Sequence, residues 1–140
     1  MKPLLLSLLL ALPVLAGDVW TPKPGSTERT AILDAIRDPL EDHIHQKVIF
    51  RVSHLKVQDN WAFLMAEART KDDKPINYKG TIFEHDAEEW DEGVIAILRY
   101  KRNRWYVVNH SFFASDVWWH GMHEPLRAPK AIFPYQQTKK

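Results

Sequence analysis

The 140-residue chain contains no cysteine. Disulfide scaffolds, thiolate zinc sites, iron–sulfur clusters and cysteine nucleophiles are therefore excluded. Glycine is scarce, at 5 residues, so no glycine-rich loop is available to cradle a phosphate or a dinucleotide. The fingerprints Gly-x-Ser-x-Gly and His-Glu-x-x-His are also missing. Neither sign of charge dominates, with 19 Lys+Arg against 18 Asp+Glu. A histone-like polycation is excluded by that balance, and nucleic acid is not an expected partner. Nor is the chain a disordered polyelectrolyte, because 45% of its residues are hydrophobic and 11% are aromatic.

Only one long apolar run exists, and it stands at the start. Met1-Lys2 is short and positive, Pro3 to Pro13 is almost wholly apolar, and Val14-Leu15-Ala16 ends in a small residue. This is the order of a secretory signal and predicts cleavage after Ala16. The run is shorter than the roughly 20 residues that span a bilayer. No cysteine follows to carry a lipid anchor, so the product is expected to be periplasmic or secreted, soluble and without a membrane span. Residues 17–140 number 124, and with Lys2 set aside 18 basic residues face 18 acidic ones. A chain of that size suits a single domain that buries about two-thirds of its unfolded surface.

Periodicity sets the expected elements. Asp18 to Gly25, with Pro22 and Pro24, reads as a leader arm. Ser26 or Thr27 can cap a helix whose Ile32, Leu33, Ile36 and Leu40 share one stripe. Pro39 predicts a kink, or a restart capped by Asp38. Lys47–Val57 reads as a strand in which the parity of apolar residues switches near Ser53-His54, the mark of a bulge. Trp61–Thr70 is the return strand. A three-residue turn, Gln58-Asp59-Asn60, is preferred over a two-residue one, and it would pair Val57 with Trp61 and Leu55 with Phe63. Lys71–Pro75 is a solvated loop, and Tyr78–Phe83 a possible short strand. Val94–Lys101 and Arg104–His110 form the clearest hairpin, turning at Arg102-Asn103. Its register pairs Tyr100 with Trp105, Leu98 with Val107 and Ile97 with Val108, and its two apolar faces predict a central position. Ser115 is expected to cap a short helix over Asp116–His120.

The resulting fold class is α+β: an N-terminal helix packed on a curved antiparallel sheet of four to five strands, with a short C-terminal helix. The expected organisation is a signal segment at 1–16, a leader arm at 17–25, one domain at 26–124 and an irregular tail at 125–140. This layout resembles cystatin-like and NTF2-like domains. Ala31-Ile32-Leu33-Asp34-Ala35-Ile36-Arg37, Asn60-Trp61-Ala62-Phe63, Ala96-Ile97-Leu98-Arg99 and Trp105-Tyr106-Val107-Val108 together resemble an uncharacterised family of small exported bacterial proteins. The resemblance covers residues 28 to about 118 and implies export and this fold, with no activity attached.

Candidate chemistry is sparse. His43-x-His45 and His120-x-x-His123 have spacings that metal ligands use, but each pair lacks the third and fourth ligands of a site. Glu84 to Glu92 holds six acidic residues among nine, without the alternating ligands and glycine of an EF-hand, and reads as a solvated run. Glu84/Asp86 and Asp116/His120 are possible acid–base pairs, yet nothing converges on them. No catalytic residue, metal or cofactor is assigned. The aromatic residues remain. Trp118 and Trp119 are adjacent, and on a helix they diverge by about 100°. Trp118 would then cover the sheet while Trp119 turned outward beside Phe112 and Phe113 as a contact patch. Two functions stay open: a non-enzymatic exported module that binds a protein or another envelope component through that patch, and a small NTF2-like enzyme or ligand carrier with a polar pocket in its sheet.

Overall fold

The computed structural model describes residues 17–85, 93–114 and 116–135. The expected signal segment, residues 86–92 of the acidic run and the expected cap Ser115 lie outside them. Helix α1 (Thr27–Ile44) begins where the sequence places it, with the Ser26 hydroxyl accepting the Arg29 N–H at 3.2 Å. It ends at His45, which takes the left-handed conformation (φ 54°) and donates its N–H to Glu41 O at 2.8 Å. The expected restart at Pro39 does not occur, and α1 is continuous through it. Proline removes one donor from the ladder, but the stripe of Ile32, Leu33, Ile36, Leu40 and Ile44 is buried on both sides of it and holds the helix together.

Strands β1 (Ile49–Gln58), β2 (Trp61–Arg69), β3 (Val94–Lys101) and β4 (Arg104–Phe112) form an antiparallel meander in the order β1-β2-β3-β4. Both hairpins turn on two residues. Asp59 and Asn60 have φ of 50° and 66°, and Arg102 and Asn103 have φ of 52° and 63°. Two consecutive positive φ values match the strand twist, and Asp and Asn tolerate them without glycine. The first turn therefore corrects the three-residue loop: Gln58 pairs with Trp61, and Lys56 with Phe63. Tyr78–Phe83 forms turns rather than a strand, with Thr81 N–H bonded to Tyr78 O at 3.0 Å.

A bulge in each outer strand sets which side chains reach which face. In β1 the register shifts between Val52 and His54, so Ser53 is the extra residue and His54 swings to the face opposite Val52. In β4 the extra residue is Val108, so Ile97 pairs with Asn109 and not with Val108. Only β3 of the second hairpin is central; β4 lies at the sheet edge and its Val107 is half-buried. The other edge is partly covered. The leader arm runs along β1, with Trp20 and Val57 exchanging backbone bonds of 3.0 and 2.8 Å.

The sheet is buried on both sides. Facing α1, Leu55, Ala62, Leu64, Ala66, Val94, Ala96 and Leu98 are all at most 2% exposed. The three alanines let the helix lie close to the backbone. On the second face the residues are large: Trp61, Phe63, Ile95 and Ile97. The C-terminal segment covers these through Trp119, Ala128, Ile132 and Phe133, by way of the one-turn helix α2 (His123–Leu126) and a 3-10 turn at Lys130–Ile132. Residues 125–135, read from sequence as part of an irregular tail, therefore supply core side chains; Ile132 is 0% exposed.

These burials order the mutational costs. Leu98→Ala should lower stability by about 2–5 kcal/mol, as for a large side chain removed from a filled core. Val107→Ala should cost about 1 kcal/mol, because a half-buried valine gives up only part of its transfer free energy. Urea midpoints of the two variants test this order.

Candidate functional site

The C-terminal segment that closes the second face also lines a concavity. No helix spans Asp116–His120. The chain advances there by turns, His120 N–H bonding Val117 O at 2.9 Å and Met122 N–H bonding Trp119 O at 3.1 Å. Gly121 then reverses it at φ 78°. This path inverts the expected roles of the two tryptophans. Trp119 is 8% exposed and packs edge-on against Phe63, with ring centroids 5.4 Å apart. Trp118 is half-buried, its indole N–H donating to the Ser111 hydroxyl at 2.7 Å.

Phe112 and Phe113 lie on the helix side of the sheet and do not join Trp119. Phe113 takes φ 59°, which turns its ring toward Tyr78 at 4.9 Å and Phe83 at 5.4 Å. Its edge lies 2.5 Å from where a Cβ at Gly93 would be, so a side chain at 93 would force the Phe113 ring to move. Phe112 packs on Phe83 at 5.5 Å. The four residues of the expected patch are thus divided between the two faces of the sheet.

Beside Trp119 opens a cleft of about 630 Å³, lined by Val117, Trp119, His120, Gly121, His123, Lys130, Pro134 and Tyr135. Its wall is aromatic: Phe133 and Tyr135 are stacked at 5.3 Å, and the His123 and His120 rings stand edge-on to Tyr135 at 5.2 and 5.5 Å. Tyr135 Oη accepts the Gly121 N–H at 3.0 Å and lies 2.6 Å from His123 Nδ1. With neutral His123 the phenol donates to Nδ1. The ring's Nε2–H then points toward Glu124 Oε1, 3.9 Å away at the rim. The indole N–H of Trp119 is buried and has no hydrogen-bond partner among the described residues. No carboxylate lines the cleft, whereas Lys130 and two imidazoles do. The site therefore offers donors against an apolar wall.

A second histidine fixes the segment in place. The bulge at Ser53 presents His54 to the second face, where its Nε2–H donates to Ile132 O at 2.7 Å and its ring meets Phe63 edge-on at 5.7 Å. Burial holds its pKa below the ordinary 6.5. The Ile132 carbonyl opposes that shift, and the Lys56 charge adds to it. The other perturbed groups lie away from the cleft. Tyr78, on the helix side, is pushed up to about 12 by burial and by Glu67.

The remaining sequence candidates are dispersed. His43 packs on Phe83 at 5.8 Å, and His45 is the helix cap. Asp116 and His120 are both exposed. The pair Glu84/Asp86 is only half inside the described residues. Among the described residues no three His, Asp or Glu side chains are placed to hold a metal. No helix among them is long and apolar enough to cross a membrane. Lys130, Tyr135 and His54 were not singled out from the sequence. The first two fall in the stretch read as tail, where the apolar run Ile132-Phe133-Pro134-Tyr135 was the available signal. No family model, curated protein or solved structure matches the chain.

Two outcomes follow from this geometry. Trp119→Ala should cost about 3–5 kcal/mol and Trp118→Ala about 1 kcal/mol, since only the first removes a core aromatic ring; chemical denaturation of each variant measures both. Protonation of His54 is resisted in the folded state. Its contribution to stability is therefore complete above pH 6.5 and is lost as the pH falls below that value toward the depressed folded pKa. Between pH 7.5 and about pH 5.5 the wild type should lose more stability than His54→Gln, and equal losses would assign no role to this ring.

Proposed function

We propose that the chain is an exported, non-enzymatic binding module of the bacterial envelope whose binding site is the cleft beside Trp119. The observation that carries this reading is the lining itself: an aromatic wall of Trp119 and Tyr135, the donors His120 and Lys130, and no carboxylate among the lining residues. The complementary group is a carboxylate attached to an apolar or aromatic body, as at the carboxyl end of a partner polypeptide. Its oxygens take a charge-assisted bond from Lys130 while its apolar part displaces water from the rings. The core supports a binder over a pocket in the sheet. Phe63, Ile97, Ile132 and Phe133 fill the second face, and no polar or charged residue is buried among the described residues.

The reading of export is supported by the positive, apolar and small-residue order of residues 1–16 and by the start of the leader arm. Gly17 N lies 2.8 Å from Asp59 Oδ1, and Gly17 O accepts from Gln58 Nε2 at 2.6 Å. Cleavage after Ala16 would place a new ammonium beside that carboxylate, in a stronger, charge-assisted bond. Amino-terminal sequencing of the protein recovered from outside the cytoplasm should begin at Gly17; an intact Met1 there would reject the export reading.

Binding is tested by NMR titration with N-acetylphenylalanine and with its amide. The free acid should shift Trp119 and Tyr135 resonances saturably and the amide should bind more weakly. Lys130→Ala should weaken binding of the acid about tenfold, the size of a lost charge-assisted hydrogen bond. Indifference of these resonances to the acid, or equal binding of acid and amide, would reject the cleft as a carboxylate site.

A further inference from the structure

The chain is close to neutral, but its charge is sorted by position. Helix α1 carries Glu28, Asp34, Asp38, Glu41 and Asp42 against Arg29 and Arg37. Residues 93–135 carry six Lys and Arg against Asp116 and Glu124. The sheet separates the two groups in part: α1 packs on one face and Arg99, Lys101 and Arg104 share the other, while at the hairpin end Asn103 and Arg104 line a cleft with Glu28, Asp34 and Asp38 of α1. Arg99 and Lys101 share the β3 face of Ile95 and Ile97, by the alternation of the strand. Cross-strand register extends this set. Trp61, Arg99 and Tyr106 are successive partners across β2, β3 and β4, and Lys101 pairs with Arg104 in the next row. Arg102 stands at the hairpin tip.

The cations are held flat against aromatic rings. Arg99 lies over Trp61 at 5.0 Å, and Lys101 and Arg104 lie over Tyr106 at 5.2 and 4.8 Å. Arg99, Lys101, Arg102 and Arg104 are all exposed, and none is in an ion pair among the described residues. Beyond Tyr106 the bulge pushes Val108 outward, 38% exposed, and Trp118 stands half-buried beside Ser111. The surface is thus a broad cationic end of a sheet, flanked by one exposed valine and two partly exposed aromatics, Tyr106 and Trp118.

We infer that this end of the sheet docks on an anionic lipid surface. The charges are spread over neighbouring strands and a turn instead of lining a groove, which suits a plane of headgroups. The rings of Trp61 and Tyr106 are already covered by cations and are not open to stacking bases, which disfavours single-stranded nucleic acid. Trp118, half-buried at the margin of this surface, is a residue type that settles at the headgroup level of a bilayer, and the exposed Val108 stands on the neighbouring edge strand. Docking of this kind is peripheral and independent of what the cleft binds.

The test is co-sedimentation of the whole protein with vesicles of phosphatidylcholine alone and with about one-third phosphatidylglycerol, at low and high salt. The protein should bind only the anionic vesicles and be released by salt. The triple variant Arg99→Gln/Lys101→Gln/Arg102→Asn should bind about a hundredfold more weakly, at about fivefold per charge removed. Asparagine is used at position 102 because it fits the left-handed turn. The charge-preserving variant Arg99→Lys should bind like the wild type. Binding to pure phosphatidylcholine, unaltered binding by the triple variant at an unchanged unfolding midpoint, or tighter binding to an oligonucleotide or to polyglutamate would overturn the inference. The triple variant should still bind N-acetylphenylalanine normally, so this proposal and the cleft proposal fail separately.

Discussion

Two strands with apolar side chains on both faces dictate the rest of the molecule. β2 and β3 turn Ala62, Leu64, Ala66, Val94, Ala96 and Leu98 to one side, and Trp61, Phe63, Ile95 and Ile97 to the other. One helix covers one side. The other side has a second cover, the folded-back segment that brings Trp119, Ala128, Ile132 and Phe133 onto it. Side-chain size divides the task. The small residues at 62, 66 and 96 admit a helix at close range, while the large residues opposite fill their own volume and need only a thin layer above them.

That thin layer explains why the concavity lies where it does. A helix buries its polar backbone within itself, but an irregular segment has to satisfy its groups one by one. Here the Ile132 carbonyl takes the His54 N–H, and the Gly121 N–H goes to Tyr135. His123 and Tyr135, joined at 2.6 Å, are polar and partly wet, and the cleft forms at the margin of the cover where they meet. Binding chemistry and structural closure are therefore built from the same residues.

The sequence made the helix, all four strands and the β1 bulge legible, because each rests on local periodicity. Ile32, Leu33, Ile36 and Leu40 lie on one helical stripe, and the parity change at Ser53-His54 marks the bulge that the structure has. What it concealed depends on tertiary packing. The choice between a two- and a three-residue turn at Asp59-Asn60 is set by conformations that both residues tolerate. Pro39 looks like a stop, and only burial of Leu40 and Ile44 beyond it shows otherwise. Trp118 and Trp119 exchange places because a helical angle was assumed for a stretch that Gly121 and its neighbouring turns make irregular. Lys130 and Tyr135 were hidden by prolines at 125, 129 and 134, which mark the absence of regular structure but say nothing about burial.

The central claim is that the C-terminal cover belongs to the same cooperative unit as β2 and β3. Native-state hydrogen exchange measures this directly. The Phe133 amide, bonded to Lys130 O, should open with the same free energy as the Phe63 and Ile97 amides. Ile132→Ala should lower all three together. If the Phe133 amide exchanges far faster than the strands, and Ile132→Ala leaves Phe63 and Ile97 protected as before, the cover is an accessory and the account is wrong.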